Sequence, residues 1–390
     1  MILQEMKKIF GIKRILLISV FAVLYYFLVF QLDVVPEYSS DRIYIELSLE
    51  LIEKYGESID ETEYKDFMDH LVSTDQSEIN RWIKEHDGFQ WFNIESYGDL
   101  IERLEPLSNS ARASYSVQMS EKFTSEEQTE LWNIVFKGVF REIYVNSFLE
   151  AYNAELKSDQ LTSYYADISE KDQKRIAERN QEEIFSLMPN NVMINYIRIF
   201  SDFAIFLFLS LIFLIIPYSV KDTMEGILIL QYTSQKGCGF YWKKLAAVFI
   251  SSVTLCILEI GWFVLMLSKN DTFSFTSCFV SGFMNQGITF MKLTFGQYII
   301  MSLIYIIVIG LCLSIITYSL SSCAHNYVAA IAFQLPAIIF SFVVSLTIMG
   351  DFAEMTQNIM LLCMIPCICI LAAVISNMLR FFSIKRYERF

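Results

Sequence analysis

The chain carries few residues whose type and spacing could do chemistry, and the most isolated is an acid within an apolar run. Glu259 lies 15 residues beyond Lys244, in a stretch that is otherwise uncharged. At 1.5 Å of rise per helical residue, its carboxyl group lies about 22 Å up a helix. An acid at that depth in a membrane is costly unless it is paired or faces water. We therefore interpret Glu259 either as a polar site within the membrane or as a group that stabilises helix packing by a hydrogen bond.

A second candidate is the charged turn at residues 219–244, which connects two apolar stretches. It contains a series of polar and glycine residues with one leucine. In order, these are Asp222, Glu225, Gly226, Leu228, Thr233, Lys236 and Lys243. A short amphipathic helix is predicted there by the apolar residues Met224, Ile227, Leu228 and Leu230. Such a helix can lie in the membrane interface or dock into a groove of a partner protein, and the pattern alone leaves both open.

Familiar catalytic and nucleotide-binding motifs do not occur in the chain. It has no Gly-x-x-x-x-Gly-Lys-Ser/Thr phosphate loop, so it cannot cradle ATP phosphates in that way itself. It also lacks the His-Glu-x-x-His and Gly-x-Ser-x-Gly patterns. We assign no catalytic, cofactor-binding or metal-binding residues, and we expect this chain to bind no cofactor.

Hydropathy divides the chain into six apolar stretches and one long acidic segment. Each stretch can cross a bilayer core of about 30 Å, and spans are predicted at 15–32, 199–218, 245–267, 297–320, 328–349 and 358–380. Lysines and arginines cluster beside residues 14, 221, 244 and 380. Because such clusters mark the cytoplasmic side, we expect the terminal segments 1–14 and 381–390 in the cytoplasm, and residues 33–196 outside a cell (plasma) membrane.

The segment 33–196 is predicted to be a separate extracellular domain. It holds 34 Asp and Glu against 15 Lys and Arg, which gives no attraction for a nucleic-acid backbone, and no nucleic-acid partner is expected. Gly56 is a helix stop, and Thr124 with Glu127 forms a capping box. The box opens a helix whose apolar stripe is Leu131, Val135, Val139, Ile143 and Phe148.

The predicted fold is an α-helical integral membrane protein with six transmembrane helices. A mainly helical, or α+β, domain is inserted between the first and second helices. Residues 197–380 form a five-helix transmembrane region that contains the inner loop 219–244 and an outer segment, 268–296. The Gly and Phe content of that outer segment favours a re-entrant or surface-lying hairpin over a seventh span.

The turn at 219–244 resembles the corresponding loop of type-2 ABC exporter permeases. That family has an acidic residue, then Glu-x-Gly-x-Leu, then Thr or Ser near a basic turn, and finally Lys at the third span. The seven residues named above match it in order and spacing. Two departures are Ser234-Gln235, where the family usually has Pro, and Lys236, where Arg is commoner. The layout is also similar to a Gram-positive subgroup with a large extracellular domain, and residues 51–60 resemble a recurring piece of those domains.

This resemblance implies a permease subunit of an ATP-driven exporter that moves a peptide, lipid or amphipathic antibiotic out of the cell. The turn would be the coupling helix, and ATP and Mg would bind to a separate ABC ATPase subunit in two copies. A second permease, of the same or a related chain, and membrane lipid would be the other partners. Two alternatives remain: a sodium or small-ion ABC exporter, and a membrane sensor with a ligand-binding ectodomain.

Overall fold

The computed structural model describes residues 1–31, 39–57, 61–140, 142–143, 186–227, 237–269, 271–280, 293–348 and 359–387. These residues are almost entirely helical, as predicted, and they belong to two compact units. We call one unit the bundle; it comprises Met1–Val35, Val192–Ser277 and Ile288–Phe390. The other, the inserted domain, comprises Pro36–Asn191 together with Cys278–Gly287. Part of the predicted outer segment thus groups with the inserted domain, and its residues 281–292 lie outside the described residues.

Six helices in the described part of the chain are long and apolar enough to cross a membrane, which confirms the predicted number. In chain order the first to sixth spans are Ile12–Phe30, Asn191–Met224, Gly239–Leu267, Phe295–Ser321, Tyr327–Thr347 and Leu362–Lys385. The second span continues six residues beyond the predicted end at 218. Lys221 and Asp222 lower the local hydropathy, but a charged residue at a helix end is compatible with helical backbone.

The helices of the bundle include regular and irregular turns. An amphipathic helix, Ile2–Ile9, precedes the first span, which continues from Ile12–Tyr25 into a π-helical turn at Tyr26–Phe30. The remaining elements are Asn190–Met224, Gly237–Leu267, the 3-10 helix Asp271–Phe275, Phe295–Ser321, Tyr327–Val343 with a π-helical turn at Val344–Ile348, and Ile359–Tyr387.

The second span forms the centre of the bundle. In its most apolar window 78% of the residues are buried, against 11% in the sixth span and none in the first. Its neighbour is the third span, which runs antiparallel to it: Phe203 stacks on Phe263 at 4.3 Å near one end, and Asp222 pairs with Lys244 near the other. The fourth span also packs on it, since Gly310 lies against Leu211.

The inserted domain is a set of short helices. Its described elements are Ser39–Tyr55, Glu61–Glu85, the 3-10 helix Asp87–Phe92, Tyr97–Leu104, Asn109–Ser120, Ser125–Glu130 and the π-helical turn Leu131–Phe136. The predicted stop at Gly56 is confirmed, because the helix ends at Tyr55 and Gly56 has φ +93°. The capping box of Thr124 with Glu127 is also confirmed.

A hydrophobic core joins described helices of the inserted domain between residues 79 and 143. Four members of the predicted stripe lie in it, namely Leu131, Val135, Val139 and Ile143, while Phe148 lies outside the described residues. Trp82, Phe89 and Phe123 contribute aromatic rings whose centroids are 5.2 to 5.6 Å apart. Such spacing is typical of favourable aromatic packing.

Candidate functional site

The second span ends in a turn that glycine alone adopts without strain. The backbone N–H of Glu225 donates to the carbonyl of Lys221 at 3.0 Å, and that of Gly226 donates to Thr223 at 3.2 Å. Gly226 has φ +68°, in the left-handed region. A Cβ added there would meet nothing within 4 Å, so the backbone conformation, and not space, requires glycine. Gly226 therefore fixes the direction in which the chain leaves the second span.

Asp222 and Lys244 form a buried ion pair between the second and third spans. The side chain of Lys244 is 3% exposed and that of Asp222 is 16% exposed. The ammonium of Lys244 also lies 4.9 Å from the centre of the Phe240 ring, a cation–π contact. Because both charges are largely removed from water, each depends on the other, and the pair ties the two helix ends together.

The same end of the bundle, which we call the basic end, holds further bonds between spans. The carbonyl of Ser322, at the end of the fourth span, accepts a hydrogen bond from Thr223 Oγ1 at 3.3 Å and another from Arg380 at 2.8 Å. The hydroxyl of Tyr241 bonds the side-chain oxygen of Asn377. The second, third, fourth and sixth spans are thus joined by polar contacts beside the turn at Gly226.

The N-terminal amphipathic helix is fastened to this end as well. Glu5 is buried, and its carboxylate accepts hydrogen bonds from Tyr218 and Lys8, both at 2.8 Å. Arg14 donates to the carbonyls of Lys8 and Ile9 at 2.6 and 3.0 Å, which caps the helix C-terminus. Tyr218 therefore links the second span to the N-terminal helix.

The structure separates the predicted coupling residues into different environments. Asp222 is engaged within the chain, whereas Glu225 is exposed and lies 3.6 Å from Lys221. Gly226 and Lys243 are exposed. Met224, assigned from sequence to a separate amphipathic helix, is instead the last residue of the second span. Three predicted residues lie outside the described residues: Leu228, Thr233 and Lys236.

Sequence reasoning missed the partners at the basic end. It selected Lys243, but Lys244 is the lysine that faces the second span. Helical phase carried that signal, because Tyr241, Lys244 and Val248 lie on one buried face while Lys243 is exposed. The bonds to the Ser322 carbonyl had no signal, since a backbone acceptor has no sequence signature.

Glu259 lies inside the bundle, as the sequence suggested, and is 6% exposed. Its carboxyl group faces the hydroxyl of Ser210 on the second span. Within the described residues, neither oxygen of Glu259 nor the Ser210 hydroxyl makes a hydrogen bond of acceptable geometry. This position, beside Ser210 inside the bundle, is compatible with both roles that the sequence left open for Glu259, a structural role and a ligand-binding one.

These features define a multi-pass α-helical membrane protein in which polar contacts join four of the spans at the basic end. In the part of the chain that the structure describes, no three His, Cys, Asp or Glu side chains gather as a metal site. The model of the ABC-2 family transporter protein matches residues 14–382, and the chain belongs to that family. It is thus a permease subunit of an ABC transporter, a class of membrane component that works with an ABC ATPase. Comparisons with curated proteins and with solved structures gave no match.

Proposed function

We propose that this chain is the permease of an ATP-driven exporter, and that the turn after the second span transmits the motion of a separate ATPase. The observation that carries the proposal is the left-handed Gly226, placed directly beside the bonds that join four spans. A partner that pushes on the exposed turn acts on a helix end whose displacement cannot be absorbed locally. The motion is therefore passed to the neighbouring spans.

The basic end faces the cytoplasm in this proposal. Lys221, Lys244 and Arg380 all lie at that end, and positive residues favour the cytoplasmic side. The turn then meets the compartment that contains ATP, and the inserted domain lies outside the cell. Residues 197–380 serve as the transmembrane region, residues 33–196 as the extracellular domain, and residues 1–14 and 381–390 as cytoplasmic ends.

Export of an amphipathic substrate fits this arrangement. A large acidic domain beyond the outer leaflet suits the release of a peptide, lipid or amphipathic antibiotic, in the manner of the Gram-positive subgroup of these permeases. Two permeases, identical or related, and two ATPases that bind ATP and Mg complete the transporter. Asp222 and Thr223 hold the coupling turn, while Glu225, Gly226, Leu228, Thr233, Lys236 and Lys243 present it to the ATPase.

Purification of the complex tests this proposal. The tagged full chain, extracted in mild detergent from its native host, is expected to bring down a stoichiometric ATPase with a phosphate loop. The double variant Glu225→Ala/Gly226→Ala should lose it, because alanine at a left-handed position is disfavoured by about 1 kcal/mol or more.

Gly239→Ala is the matched control. Gly239 is exposed, lies within a helix without a left-handed φ, and has nothing within 4 Å of an added Cβ. This variant should retain the ATPase. The proposal fails if no ATPase accompanies the wild-type chain under conditions that keep a known ABC complex intact, or if the double variant retains it as fully as Gly239→Ala does.

A further inference from the structure

Glu259 is a buried acid of the third span that faces the second span. The residue is 6% exposed, its carboxyl oxygens make no hydrogen bond of good geometry within the described residues, and the polar side chain that it faces is Ser210 on the second span. A buried, unpaired acid in a spanning helix is retained only where something compensates it. We propose that the compensating group is the ammonium, or a similar cationic group, of an amphipathic substrate.

The described residues of the second, fourth and fifth spans place no basic side chain beside this carboxyl group. The second span has no charged residue between Asp202 and Lys221, and the fourth and fifth spans have none at all. Along the third span and its immediate continuation, Lys269 and Lys244 lie about 15 and 22 Å away, and Lys244 is already paired with Asp222. In this proposal the positive partner is therefore a group of the substrate.

The surroundings favour an organic cation over a metal ion. Inorganic cations such as Ca²⁺ require six to eight oxygen ligands, whereas Glu259 and Ser210 offer one carboxylate and one hydroxyl. One turn further along the third span, Trp262 and Phe263 contact Phe206 and Phe203 at centroid distances of 5.4 and 4.3 Å. Aromatic faces attract organic cations and also bury their apolar groups.

Two buried serines lie between Glu259 and the basic end of the third span. Ser251 and Ser252 lie about 11 to 12 Å from Glu259 along the third span. Both are fully buried, and their hydroxyls make no hydrogen bond within the described residues. With the basic end in the cytoplasm, these serines lie between the loading side and the acid. This inference rests on the proposed export function and adds its substrate class.

Binding of tetraphenylphosphonium to the full chain in nanodiscs tests the proposal. Saturable binding by the wild type is expected, corrected for empty nanodiscs, and Glu259→Gln should weaken it at least about tenfold. Tetraphenylborate has nearly the same shape and the opposite charge, so its binding should not decrease in Glu259→Gln. Glu259→Asp keeps the charge and should bind more like the wild type than like Glu259→Gln, which separates lost charge from disturbed packing.

The inference is overturned if the wild type does not bind tetraphenylphosphonium saturably, or if Glu259→Gln binds it as well as the wild type does. Equal weakening of binding in Glu259→Asp and Glu259→Gln would indicate a folding defect. That result would also contradict the role assigned to the negative charge of Glu259. The assay uses no ATP and no ATPase, so its failure is distinguishable from failure of the coupling proposal. The Gly239→Ala variant, which fills open space, should bind tetraphenylphosphonium as the wild type does.

Discussion

Removing the lysine of the buried Asp222–Lys244 pair should strongly destabilise the bundle. The substitution Lys244→Met keeps most of the side-chain volume and leaves Asp222 charged without its partner. Because the Lys244 side chain is only 3% exposed, water cannot take over the missing contact on that side. The expected effect is a loss of unfolding free energy well above that of an ordinary surface substitution.

The exposure of the two side chains sets the magnitude. Unit charges about 4 Å apart attract by about 4 kcal/mol at an effective dielectric constant of about 20. Breaking a buried pair by removing one partner costs about 3 to 5 kcal/mol. The side chain of Asp222 is 16% exposed, so water partly rehydrates it once Lys244 is replaced. We therefore expect Lys244→Met to cost about 3 kcal/mol, the lower end of that range. The double variant Asp222→Asn/Lys244→Met removes both charges and should recover to within about 1 kcal/mol of the wild type.

Graded SDS unfolding of the full chain in mixed micelles, followed by tryptophan fluorescence, measures these differences. Lys243→Met is the control, because Lys243 is the adjacent exposed lysine, and its effect should stay within about 0.5 kcal/mol. The reasoning is refuted if Lys244→Met is no worse than Lys243→Met. It is equally refuted if the loss of unfolding free energy in the double variant equals the sum of the losses in Asp222→Asn and Lys244→Met measured alone.

Two further predictions concern the start of the fourth span and the inserted domain. A Cβ at Gly296 would lie 3.0 Å from the backbone carbonyl of Thr276, so Gly296→Ala should lower the SDS midpoint; Gly261→Ala, with open space around it, should not. Hydrogen bonds from the backbone N–H of Glu95, and from the side chain and backbone N–H of Ser96, hold the pKa of Asp99 below its usual 3.8. A lowered pKa stabilises the folded state above pH about 4, and this contribution is lost as the pH falls through the lowered value. Hydrogen exchange should therefore show more protection at the helix start in the wild type than in Asp99→Asn at pH 6, with the difference vanishing in stronger acid; a difference independent of pH would contradict this.

Local patterns in the sequence determined much of this protein. Six apolar stretches predicted six spans because a bilayer of fixed thickness demands a minimum apolar length. The capping box at Thr124 and the stop at Gly56 were readable because each depends on residues within a few positions. Glu259 was recognisable because an acid in an apolar run is costly wherever its neighbours lie.

Tertiary structure alone decided which groups meet. Hydropathy gave the apolar part of the second span but not its continuation to Met224, since helical backbone tolerates the charged residues at its end. The choice of Lys244 over Lys243 depends on how the third span is rotated against its neighbour. The facing of Ser210 and Glu259, and the convergence of two donors on the Ser322 carbonyl, join residues far apart in the chain. A single sequence specifies that a helix has a buried face, but the packing of all six spans determines what that face touches.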